Sequence, residues 1–158
     1  MKRVNGIVHH PLFERQLARL EELEKTRPFC RHGLQHLLDV ARLGWIAVLE
    51  QQLPLKRDVV YAAALLHDMG RVEQIEKGTP HHQASAALAA RILPEAGFSE
   101  EEVCRIQQAI LGHREAGGGD SLEELIFWAD KASRPCWNCG VKAECNWSSE
   151  KKNLDLTR

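Results

Sequence analysis

No apolar run in the sequence approaches the roughly 18 to 20 residues that a membrane span needs. The start, MKRVNGIVHHPLFERQ, also lacks the apolar core of a signal peptide, so a cytosolic protein with no membrane partner is the expectation. Charge of one sign is missing too: 21 lysines and arginines stand against 22 aspartates and glutamates. That balance gives no broad basic field, and a nucleic-acid partner is not expected. Stretches of clean period-two alternation are absent and β-branched runs are few, which argues against sheets. Internal repeats and long linkers are also absent, so the 158 residues read as one domain around one core. The five cysteines are an odd number, better suited in a reducing compartment to thiols or metal ligands than to a disulfide framework.

Helical spacing remains, and it predicts an all-α fold of about six helices over residues 1–135, followed by a cysteine-containing tail, 136–158, packed on or beside it. The first helix, about 10 to 26, carries Leu12, Phe13, Leu17, Leu20 and Leu23 on one stripe and stops near Pro28. The second runs from about 30 to 52. Asp58 is expected to cap the third, which continues through an alanine run to His67 and Asp68 and ends at Gly70. RVEQIEKG reads as a polar connection. Thr79 and Pro80 then start a fourth helix that ends near Gly97. A Ser99 to Glu102 capping box opens the fifth, which ends at the glycine run 117–119. The sixth opens at Asp120 or Ser121 and stops by Pro135.

Several polar residues fall on the apolar faces of these helices. Positions 32, 36, 40, 43 and 47 share a face and read His32, His36, Val40, Leu43 and Ala47. His67 continues the face of Val60, Ala63 and Ala64, His113 that of Ile106, Ala109 and Ile110, and Asp130 that of Leu122, Ile126 and Ala129. A single inward histidine is ordinarily a hydrogen-bonded core residue. A buried carboxylate needs a cation or a set of donors. Several helices that each turn a histidine or carboxylate inward share one explanation, a divalent metal, and iron, manganese, cobalt, nickel and zinc all suit such ligands. His81 and His82, in the first turn of the fourth helix, offer one further ligand between them. His9 and His10 need no functional reading, and Asp39 reads as a surface residue paired with Arg42.

In order along the chain, His36 in HLLDVAR, the His67–Asp68 doublet in LLHDMGR and Asp130 in LIFWADKASR resemble the HD superfamily of metal-dependent phosphohydrolases. The resemblance covers about residues 30 to 135 and implies that these four side chains bind one metal. His81 in HHQASAALAARIL, with the small Ser85 and Ala86 at the family spacing, and His113 in ILGHREAG resemble the two-metal subset, in which Asp68 would bridge the ions. That subset includes symmetrical dinucleoside-tetraphosphate hydrolases and HD-GYP cyclic-dinucleotide phosphodiesterases. The glycine-tyrosine-proline signature is missing and Arg71 replaces a lysine, which argues against cyclic-dinucleotide cleavage.

The implied activity is hydrolysis of a nucleotide or other small phosphoester by a hydroxide made available when metal lowers the pKa of bound water from near 16 to about 7. Asp68, His32 and Lys131 are the candidate catalytic residues. His32 would join the metal shell or donate a proton, and Arg31, Arg71, Lys131 and Arg134 are candidates to meet substrate phosphates. Two alternatives come from other classes: a sensor that holds metal or nucleotide without turnover, and an oxygenase-like HD protein with a di-iron centre.

CWNCGVKAEC sets Cys136, Cys139 and Cys145 at gaps of two and five residues, a candidate structural zinc site for which Cys30 or Cys104 could supply a fourth ligand. Free thiols, with Trp137 and Trp147 packed over the sixth helix, are the simpler expectation. The tail follows Asp130 closely, so Arg134, Lys142, Lys151 and Lys152 could line one wall of the site.

Overall fold

The computed structural model describes residues 1–113 and 121–155, and among them the chain is all helical. Eight α-helices occur in these residues: α1 Lys2–Val8, α2 Pro11–Leu23, α3 Leu34–Gln51, α4 Arg57–Leu66, α5 Arg71–Lys77, α6 His81–Glu95, α7 Glu100–Gly112 and α8 Ser121–Ala132. A short 3-10 turn, Cys136–Asn138, follows. None of the helices is long and apolar enough to cross a membrane.

The apolar composition of α4 dictates its place. Val59, Val60, Ala62, Ala63, Ala64, Leu65 and Leu66 are all buried, and a helix that is apolar all round must be covered on every side. α1, α3, α6, α7 and α8 cover it. Alanine at three successive positions lets these neighbours approach closely, and the C-terminal end of α4 arrives in the middle of the bundle. α6 pairs with α7, and α8 closes across α3 and α7.

Six of the helices match the sequence expectations in place, with shifted ends. α2 begins at Pro11 under a cap from His10, whose Nδ1 accepts the Leu12 N–H at 3.1 Å. α3 starts at Leu34 rather than near 30, so His32 lies in the loop before it. Lys56, not Asp58, is the N-cap of α4, because the Asp58 carboxylate pairs instead with Arg3 of α1. Pro80 rather than Thr79 precedes α6. The Ser99–Glu102 capping box is present. α7 ends at Gly112, and the expected stop at 117–119 and start at Asp120 lie outside the described residues.

α1 and α5 are helices the sequence pattern did not reveal. α5 is the stretch RVEQIEKG, in which Val72 alone is buried and Gly78, at φ 80°, supplies the left-handed stop. Gly70 is not such a stop. Its φ is −74°, and its role is close approach: a Cβ there would collide with the His81 carbonyl, the Ser85 N and the Ala84 Cβ of α6. The Gly70 N–H donates to Ser85 Oγ at 2.8 Å, so the turn after α4 is stitched to the first turns of α6.

Candidate metal centre

The end of α4 sets the geometry. The helix stops at Leu66, and the turn His67–Asp68–Met69–Gly70 lets two consecutive side chains leave the axis in different directions. His67, wholly buried, donates from Nδ1 to the Ala64 carbonyl at 2.7 Å. That bond leaves Nε2 with an open lone pair and no hydrogen-bond partner, 3.3 Å from Asp68 Oδ2 and 3.9 Å from Asp130 Oδ1. Burial works against charge on this ring, yet Asp68 and Asp130 outweigh it and raise His67 to about 9. The site therefore demands a cation. A proton meets the demand when nothing else does, and a divalent metal would displace it.

His36 is oriented in the same way. The Ser133 hydroxyl donates to the Asp130 carbonyl at 2.7 Å and so accepts from His36 Nδ1 at 3.1 Å. His36 Nε2 then faces Asp130 Oδ1 at 3.3 Å and Asp68 Oδ2 at 3.6 Å. One ligand atom from each of His36, His67, Asp68 and Asp130 lies within 4.8 Å of the others. Asp68, His81 and His113 form a second set on the same criterion. His113 donates from Nδ1 to Ile110 O at 2.5 Å, turning Nε2 to face His81 Nε2 at 3.3 Å, and His81 Nε2 stands 3.4 Å from Asp68 Oδ1. Burial, helped by the charge on His67, lowers His113 to about 4. Burial opposes ionisation of Asp68 and Asp130, but His67 with Arg71 for the first, and His36 with His67 for the second, hold both well below the usual carboxylate range. Imidazoles and carboxylates that converge in this way suit a divalent transition metal.

The remaining sequence candidates divide by position. His32 reaches the site from a loop and not from the face of α3, and its Nε2 lies 3.9 Å from Asp68 Oδ2. Its partner is Glu24, which sequence reasoning missed: one carboxylate oxygen accepts the His32 backbone N–H and the other faces Nδ1, each at 2.6 Å. Glu24 looks in the sequence like one more acid on a polar helix end, yet it is buried. Burial drives His32 toward its neutral form, to about 4, against the pull of Glu24. A neutral ring with Nδ1–H on Glu24 leaves its Nε2 lone pair on the side of Asp68.

Arg134 is buried, with Nη2 donating to His36 Nε2 at 2.9 Å and Nη1 to the Arg31 carbonyl at 2.7 Å. It occupies the lone pair that a metal on His36 would use, so the guanidinium has to withdraw before His36 can ligate. Lys131 Nζ bonds Asp130 Oδ2 at 3.0 Å and the His113 carbonyl at 3.1 Å, and Arg71 Nε lies 2.8 Å from Asp68 Oδ1. Arg31 is the exception among the expected phosphate contacts. Its side chain is exposed outside the site because only its carbonyl is turned inward, to Arg134. His82 is half-buried beside His81 and belongs to neither ligand set. Asp39 takes a hydrogen bond from Gln35 at 2.7 Å and lies 3.8 Å from Arg42.

Above this floor opens a cavity of about 660 Å³, a size suited to a small molecule. Seven lysines and arginines line it against two carboxylates, Asp130 and Glu144, so its field favours an anion. The tail forms much of its rim, including Lys142, Trp147, Lys151 and Lys152. Cys30, Cys136, Cys139 and Cys145 line it as well, all as free thiols, whereas Cys104 is exposed on α7. Burial raises the Cys30 thiol, Arg134 opposes the shift, and Cys136, Cys139 and Cys145 each add to it, so those three sulfurs lie within electrostatic reach of Cys30.

Residues 33–134 match the HD domain family. A protein of Clostridium beijerinckii (strain ATCC 51743 / NCIMB 8052), described only as uncharacterized, is 40% identical over 156 residues, covering 99% of each chain. A crystal structure of a predicted HD superfamily hydrolase from an uncultured Thermotogales bacterium superposes with a TM-score of 0.68 at 18% identity, covering 93% of this chain and 82% of that one.

Proposed function

The chain belongs to the HD domain family, and from that premise we propose that it is a metal-dependent phosphohydrolase acting on a nucleotide or other small phosphoester. The observation that carries the reading is the pair of histidine–aspartate sets that share Asp68 at the floor of a cationic cavity. His36, His67, Asp68 and Asp130 would hold one divalent ion and Asp68, His81 and His113 a second, with iron, manganese, zinc, nickel or cobalt as the candidates. When bound, such ions lower the pKa of coordinated water to about 7 and polarise a phosphoryl oxygen.

The chain's own groups do the rest. Lys131 and Arg71, both part-buried at the cavity floor, are placed to offset charge on the phosphoryl oxygens, and Lys142, Lys151 and Lys152 can meet further phosphates at the rim. His32, held by Glu24 with Nε2 open, accepts the proton of the attacking water and can return it to the leaving oxygen. Phe29 and Trp147 give the cavity apolar faces on which a base could stack, which supports the nucleotide class. The test is purification without chelator, elemental analysis, and an assay of mono-, di- and cyclic nucleotides beside Asp68→Ala. Bound metal with release of phosphate or a nucleotide product, lost in the variant, is the expected result. Bound metal without turnover on any panel member would overturn hydrolysis and favour a sensor.

A further inference from the structure

The tail has very little to hold it. From Pro135 to Asp155 it contains one short 3-10 turn and one buried residue, Cys136. Its fixed points are few: the Asn153 amide donates to the Ala132 carbonyl at 2.8 Å and the Trp137 N–H to the Asn153 carbonyl at 2.9 Å. Trp137 itself is exposed. A segment that buries so little apolar surface needs a cross-link to stay in one conformation. Three of its residues are cysteines, and a fourth, Cys30, comes from the loop between α2 and α3 to the same cavity wall.

Local geometry narrows what the cross-link is. On one tetrahedral zinc, with Zn–S bonds of about 2.3 Å, thiolates sit roughly 3.8 Å apart. Among the described residues, the sets of three or more potential ligand atoms within 4.8 Å of one another consist of histidine and aspartate, with no cysteine in either. A [4Fe–4S] cluster spaces its four thiolates more widely, because each binds a different iron of the same core. The surroundings fit the charge of such a group: Arg134 acts on Cys30, and Arg27, Lys142, Lys151 and Lys152 line the same wall.

We propose that Cys30, Cys136, Cys139 and Cys145 hold an iron–sulfur cluster at the mouth of the cavity, a metal centre separate from the histidine–aspartate sets. It clamps the tail onto the loop that carries His32, and so fixes the rim of the site to its floor.

The test uses the full chain, produced and purified without oxygen, with measurement of iron, zinc, acid-labile sulfide and the visible absorption spectrum. Acid-labile sulfide reports the cluster alone, since histidine and aspartate ligands supply none. The expected result is sulfide in about equal amount to cluster iron, with broad visible absorption, both lost in Cys30→Ser and Cys139→Ser and kept in Cys104→Ser and Asp68→Ala. Wild-type protein without sulfide overturns the proposal, whether its cysteines carry zinc, remain thiols or form disulfides. This measurement decides even if the cysteine variants fail to fold. Full sulfide in Cys30→Ser would remove Cys30 from the site and overturn the four-residue assignment.

Discussion

The floor and the rim of the cavity are built by opposite means. On the floor, His67 and His113 are aimed by Nδ1 bonds to carbonyls three residues earlier in their own chain segments, and His36 by a serine just past the end of α8. Helical packing therefore positions these nitrogens before any ligand arrives. At the rim, the loop before α3 and the tail after α8 have almost no regular structure, and apart from Glu24, His32, Arg134 and Cys136 their side chains are half-buried or exposed. The fold sets the imidazoles of the floor in place, while the rim is held by few contacts of its own. On the proposed function, chemistry of fixed geometry would belong to the first and recognition of variable substrate parts to the second.

The largest expected break in this contrast is Asp68→Ala, which removes the carboxylate common to both sets. Hydrolysis should fall by on the order of 10³-fold or more, and metal content should drop with it, while circular dichroism shows the helices retained. Next comes Gly70→Ala. The added methyl has no room against α6, so a loss of about 2 to 3 kcal/mol is expected in denaturant unfolding, together with loss of whatever His81 contributes.

The floor should also show itself in pH dependence. In metal-free protein His67 is raised to about 9, so its contribution to stability is present below 6.5 and fades as pH rises through 9. His32 and His113 are lowered to about 4, so their burial costs stability as pH falls from 6.5 toward 4. The melting temperature of metal-free protein should therefore peak near pH 6.5. A flat profile between 5 and 9 would contradict the preorganised floor.

Smaller effects test the seam between the regions. Ser133→Ala leaves the ligands in place and frees His36 Nδ1, so metal affinity by competition with a chelator should weaken roughly 10 to 100-fold. Asn153→Ala removes one anchor of the tail. We expect KM for a phosphorylated substrate to rise with kcat little changed, and stability to fall by about 1 kcal/mol.

What could be read from the sequence follows the same division. The inward positions of His36, His67, His113 and Asp130 were legible because 3.6-residue spacing on long apolar helices leaves little freedom, and the capping box fixed the start of α7. α1 and α5 were not: each has seven residues, too few for a periodic stripe. His32 reached the site for a reason other than the one its spacing suggested, since it precedes α3. Glu24 and Arg134 owe their roles to partners found only after folding, Arg134 to a histidine 98 positions away. Pairings of that kind leave no local trace. Cys30 is of the same sort, a lone residue until the bundle closes.

Asp68 places Oδ2 toward His36 and His67 and Oδ1 toward His81, with Arg71 also against Oδ1. One negative charge is thus offered in two directions. Two cations taken up here would not be independent: the first would draw on the charge that attracts the second, and Arg71 already draws on it. Stepwise affinities should then diverge, and a titration would find a tight ion followed by a weaker one.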